Sequence, residues 1–135
     1  MAIQFSVAVR NAMLDAIETA VGAGAILKIR DGAAPVNCAA ADSGTALVSI
    51  TLAADWAANA GAGAKSWSGL PVSIAATATG QAAHFRLYAS DGVTCHEQGT
   101  VTVTGGGGDL TVDNVNFNAG QLFSVTAWSW SAPNA

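Results

Sequence analysis

One segment of this 135-residue chain carries a helical period, and almost everything after it alternates in short runs cut by turn residues. Val9, Met13, Ile17 and Val21 recur every four residues, with Ala12, Ala16 and Ala20 beside them. Asn11, Asp15, Glu18 and Thr19 occupy other angles of the wheel, so the pattern predicts a helix with one apolar and one polar face. Ser6 or an earlier residue is the expected N-cap, and Gly22 stands where a left-handed C-cap belongs.

After Gly24 the period changes to two. Residues 25–30 put Leu27 and Ile29 on one side of a strand and Ile26, Lys28 and Arg30 on the other, and Asp31-Gly32 then signals a turn. Residues 33–43 have no clear period and read as a loop. Further strands are expected at 46–52, 71–75, 84–88, 93–97, 100–104, 110–113 and 121–130. Residues 53–66, rich in Ala and Gly around Trp56, fit either a helical turn or an open loop. The run Gly105 to Gly108 reads as a hairpin tip, and Asp42-Ser43-Gly44-Thr45 as a turn whose side chains bond the local backbone. In the last strand Leu122, Ser124, Thr126, Trp128 and Trp130 face one way and Phe123, Val125 and Ala127 the other. Seven or eight short strands behind one helix imply a mainly β fold, an antiparallel β-sandwich or jelly-roll-like domain, with a partly open barrel as the competing architecture. We read one domain over 1–135, with 1–24 as an N-terminal helix or arm and 25–135 as the sandwich.

Composition limits the function. Leu, Ile, Val and Phe together number 30, no more than Ala alone, so the core must be built from small side chains. Charged residues make up only 10%, and a surface so poor in charge is weakly defended against association. A net charge of −4 argues against a nucleic-acid partner, which needs a basic face. Every apolar stretch is interrupted well before 18 residues, so no membrane partner is expected. Arg10, Asp15 and Glu18 occupy the place of a signal peptide's apolar region, which implies synthesis and folding in a reducing cytoplasm.

Catalytic chemistry finds little support. Cys38, Cys95, His84 and His96 are the right ligand types for zinc, but no C-x-x-C occurs and adjacent Cys95 and His96 would point to opposite sheet faces. No metal or other cofactor is expected. Cys38 and Cys95, both in or next to loops, are instead a candidate disulfide. No G-x-S-x-G elbow is present, and the glycine run lacks the Lys-Ser/Thr of a phosphate loop. We therefore expect no enzyme. Trp56, Trp67, Trp128 and Trp130 either fill a core short of large side chains or serve as exposed anchors at a protein contact, with glycan stacking a weaker third use.

The order of motifs resembles a family of small tailed-bacteriophage proteins. The resemblance lies in residues 9–17, in Arg30-Asp31-Gly32-Ala33-Ala34-Pro35 after a strand, and in Asp42-Ser43-Gly44-Thr45. It continues through Ala83-His84-Phe85-Arg86-Leu87, Asp91-Gly92 and Gln98-Gly99-Thr100-Val101. Among characterised phage proteins the chain looks most like the capsid cement or decoration proteins of short-tailed phages. The resemblance implies a jelly-roll-like subunit on the outer capsid surface of the virion, bound to the major capsid protein and to itself as a dimer or trimer. It transfers no binding residue. A tail or head–tail-joining subunit and a receptor- or glycan-binding module are the other readings.

Overall fold

The computed structural model describes residues 3–132, so the first two and last three positions of the 1–135 domain lie outside the described residues. Helix α1 spans Val7–Val21, and the Ser6 hydroxyl caps it by accepting the Val9 N–H at 3.2 Å. Gly22 ends it with φ of 87°, where a side chain would be strained. Ten strands follow: β1 Ile26–Arg30, β2 Ala46–Thr51, β3 Ala64–Ser66, β4 Val72–Ala75, β5 Gly80–Gln81, β6 His84–Tyr88, β7 Cys95–Val103, β8 Leu110–Val112, β9 Asn116–Phe117 and β10 Leu122–Ser131.

Eight of these form one curled sheet in the order β2-β1-β6-β7-β8-β10-β3, with β4 also paired to β10. Strands β5 and β9 make a separate short ladder. The architecture is mainly β with one N-terminal helix, as the periodicity implies. The sheet is mixed, however, because β7 and β8 run parallel. The expectation of a purely antiparallel arrangement is corrected at that pair.

The glycine run explains how so short a parallel connection is made. Val101 pairs with Leu110, so the chain must double back and resume the same direction within a few residues. Gly105 and Gly107 have φ of 84° and 83°, while a Cβ on Gly106 or Gly108 would lie within 3 Å of Thr102. The Thr102 hydroxyl accepts the Gly108 N–H at 2.9 Å. This is a tight return between parallel strands, not the tip of a hairpin.

Two further departures follow from tertiary packing. The runs at 93–97 and 100–104 merge into the single nine-residue strand β7, which continues straight through Gly99. A Cβ there would come within 2.7 Å of the Phe85 ring, so the glycine lets β7 close onto β6. In β10 a register shift falls between Val125 and Ala127. A bulge of this kind exchanges the faces of a strand, so Trp128 joins Phe123 and Val125 inside, although simple alternation places it opposite them. The ambiguous stretch at 53–66 holds no helical turn: Ala57 bridges to Trp67 just beyond it, Gly61 bridges to Ala64, and the stretch ends in β3.

The core is contiguous and runs from Val21 of α1 through Leu27, Ile29, Leu47, Phe85, Leu87, Leu110 and Val125 to Trp128. All five residues of β6 are buried, including His84, Arg86 and Tyr88. Phe85 and Leu87 belong to the main core. The other face of the strand is covered by the 31–45 connection, which acts as a second layer.

Candidate contact surface and the clamped loop

The four tryptophans are drawn into one cluster. Trp56 stacks on Trp128 with ring centroids 5.8 Å apart, and Trp67, Trp130 and Phe85 contact Trp128 at 5.7, 4.8 and 5.5 Å. Trp56 and Trp128 are each only 1% exposed, and Trp67 and Trp130 are half-buried against them. Trp56 and Trp128 are therefore not surface anchors, because the core takes their rings beside Phe85 and Leu87. The Glu97 carboxylate accepts the indole N–H of both Trp128, at 3.3 Å, and Trp130, at 2.9 Å. Burial pushes Glu97 above the usual carboxylate range, against the opposing pull of the two indole hydrogen bonds.

The 31–45 connection is held by charged side chains from the sheet. Lys28 and Arg86 are cross-strand neighbours, as are Arg30 and His84. Lys28, Arg30 and Arg86 thus gather positive charge on one face of the sheet, which requires a counter-charge, and Asp42 supplies it to Arg30 and Arg86. Its carboxylate receives the Arg86 guanidinium, the Tyr88 hydroxyl at 2.6 Å and, more loosely, Arg30 at 3.6 Å. Burial opposes ionisation of Asp42, but the hydrogen bonds from Tyr88 and Arg86 outweigh it and hold the carboxyl below its ordinary value. Burial and the adjacent carboxylate push Tyr88 in the other direction, well above the ordinary phenol.

Arg86 also donates to the carbonyls of Asn37, Cys38 and Ala40, at 3.0 to 3.2 Å. Gln98 reaches the Pro35 carbonyl, and Arg30 the Ser43 carbonyl at 2.9 Å. Asp42 thus works at long range, not as a local turn residue; Asp31 is the residue that bonds the Thr45 N–H. Sequence reading missed Asp42, Arg86, Tyr88 and Lys65. The one available signal was cations at alternating positions of two apolar strand runs, where a one-sided sheet would leave them solvated.

The clamp brings Cys38 and Cys95 into contact, with sulfurs 2.9 Å apart and both residues half-buried as free thiols. The histidines are not drawn into a common site with them. His84 is buried with Nδ1 2.8 Å from the Gly32 carbonyl, and His96 is exposed. Among the described residues, no three His, Cys, Asp or Glu side chains converge as metal ligands. No helix of the described residues is long and apolar enough to cross a membrane. A cleft of about 450 Å³ lies beside the clamp, lined by Lys28, Cys38, Asp42, Arg86 and Val93 among others.

Helix α1 buries Leu14 and Val21 against the domain and docks its polar side beside them. Asn11 accepts the Gly63 N–H at 2.9 Å, Asp15 the Ala60 N–H at 2.8 Å and Glu18 the Ala57 N–H at 3.4 Å. Buried Lys65 pairs with Asp15 at 2.9 Å and Glu18 at 3.1 Å. The helix-facing body offers a column of unpaired backbone N–H groups, so carboxylates and an amide satisfy it where apolar side chains could not. Of the apolar row read from the sequence, Val21 is buried and Ile17 half-buried, while Val9 and Met13 are 43% and 50% exposed. Val7, Ala8, Ala12, Ala16 and Ala20 are exposed with them, leaving an outward face of α1 that is almost wholly apolar.

No known protein family, curated protein or solved structure matches this chain.

Proposed function

We propose that this chain is a non-catalytic structural subunit, a cement or decoration protein that binds the major capsid protein on the outside of a tailed-phage head. The observation that carries this reading is the orientation of α1. A helix whose polar side is spent on its own domain presents an apolar face that water solvates poorly, and a neighbouring subunit is what such a face is suited to. The low charge content removes the repulsion that would keep copies apart. A jelly-roll-like description of the curled sheet belongs to the same proposal.

Burial of Trp56 and Trp128 counts against glycan stacking, which needs exposed rings. Self-association as a dimer or trimer would use the same helix face. The deciding experiment is the copy number of this chain in purified virions relative to the major capsid protein, measured by quantitative mass spectrometry. Hundreds of copies per particle support a cement role. A dozen or a few dozen move the chain to the tail or head–tail junction, and absence ends the virion reading. Met13→Glu and Val9→Glu, at exposed positions, are expected to reduce shell binding at least about tenfold with unchanged circular dichroism.

A further inference from the structure

We propose that Cys38 and Cys95 form a built-in redox site, which closes to an intramolecular disulfide on meeting a low-molecular-weight disulfide of the glutathione type and fastens the 31–45 loop to the sheet. The inference stands on geometry and is independent of the assembly role. The two thiols are separated by 57 positions in sequence, yet their sulfurs touch at 2.9 Å. Nothing local to either residue brings them together. The Arg86 guanidinium does so by holding the carbonyls of Asn37, Cys38 and Ala40. Gln98, three residues beyond Cys95 on β7, ties down Pro35 on the other side of Cys38. The loop therefore reaches the strand already ordered, and closing the pair costs little further chain entropy in the folded state.

The chemistry balances without any group beyond the added disulfide. The Cys38 sulfur, as thiolate, attacks one sulfur of the reagent; the reagent S–S bond breaks and one reduced thiol leaves. Cys95 then gives up its proton and attacks the Cys38 sulfur of that mixed disulfide, expelling the second reduced thiol. Two protein thiols lose two electrons in total, and the reagent gains them together with the two protons. The order of attack follows from the surroundings. Cys38 lines the cleft beside the clamp and Cys95 does not, so the reagent meets Cys38 first, and burial, which with the neighbouring Cys38 pushes the Cys95 thiol up to about 11, suits Cys95 to the resolving step.

The test uses the purified full-length chain, folded and reduced, equilibrated with defined ratios of reduced and oxidised glutathione and then trapped by alkylation. Intact mass should show loss of two hydrogens in the monomer, and peptide mapping should join the segments that hold Cys38 and Cys95. The equilibrium constant for closure should be about 10²–10³ times larger in the folded protein than in concentrated urea, since native order replaces loop closure of the free chain. The melting temperature should rise by about 5 °C or more and return on reduction. Cys38→Ser and Cys95→Ser should each abolish the mass change and the shift, while keeping the circular dichroism of the reduced parent. Glutathione retained on the parent protein as a mixed disulfide, cross-linked dimers, two thiols still free under oxidising ratios, or equal closure in urea would each overturn the proposal.

Discussion

Asp42 shows how much one side chain can be asked to hold. It is the shared acceptor for Arg86, Arg30 and Tyr88, and two of those partners are almost wholly buried. Asp42→Asn keeps the shape but leaves a guanidinium in the interior without its counter-charge. Loss of a partner from a fully buried pair costs several kcal/mol, and the partial exposure of Asp42 reduces that, so we expect roughly 2–3 kcal/mol of destabilisation by urea unfolding. Glu97 is the converse. Burial raises its folded value above that of the unfolded chain, so its contribution is full below the ordinary carboxylate value and is lost as pH rises through the raised folded value. Glu97→Gln keeps an acceptor for the indoles and removes the buried charge. The stability of this variant relative to the parent should therefore improve between pH 4 and pH 7, and a constant difference across that interval would refute the assignment.

Elements were legible where local rules agree and illegible where contacts distant in sequence decide. The caps of α1 at Ser6 and Gly22, the alternation of Leu27 and Ile29 in β1, and the position of β4 just after Pro71 all follow from neighbouring residues. The parallel return at Gly105 to Gly108 does not, since four glycines permit many turns and only contact with Thr102 selects this one. Nor does the bulge in β10, because an extra residue leaves no mark on composition. The inward polar side of α1 was hidden for a related reason: amphipathicity reveals two faces but not which one the body needs. Lys65, 50 positions from Asp15, is the centre of that docking. Lys65→Ala removes both ion pairs and fills nothing in their place, while Asp15 and Glu18 can regain water. We expect a loss of about 1–3 kcal/mol. Amide exchange should report it locally, with protection falling across Val7–Val21 far more than across β6; equal loss in both would mean that the helix is not a separable dock.

Across the whole molecule the charges are sorted by sign. Three of the five Lys and Arg residues, Arg30, Lys65 and Arg86, are buried, and Arg10 and Lys28 are half-buried. Exposed charge is thus chiefly carboxylate, and the acid limb of stability falls to a few well-held groups. Asp15 lies below its ordinary value through the Ala60 N–H and then Lys65, and Asp42 through Tyr88 and Arg86 working against burial. Asp91 is drawn down to about 2 by the Thr94 hydroxyl and the N–H groups of Val93 and Thr94. For each, the folded state binds its proton less readily than the unfolded chain, whose aspartates titrate near about 3.9. Their stabilisation is complete above that range and disappears as pH falls through the folded values. The three sites fasten different parts of the molecule, namely the helix, the clamped loop and the turn before β7. We therefore expect these three sites to leave the melting temperature unaffected between pH 5 and 7, where only the decline at Glu97 acts, and to make it drop steeply from about pH 4 to pH 2. Asp91→Ala should flatten the lowest part of that limb, because the group whose pKa is about 2 titrates last. An unchanged slope between pH 3 and pH 2 in that variant would show that the turn before β7 contributes nothing to acid stability.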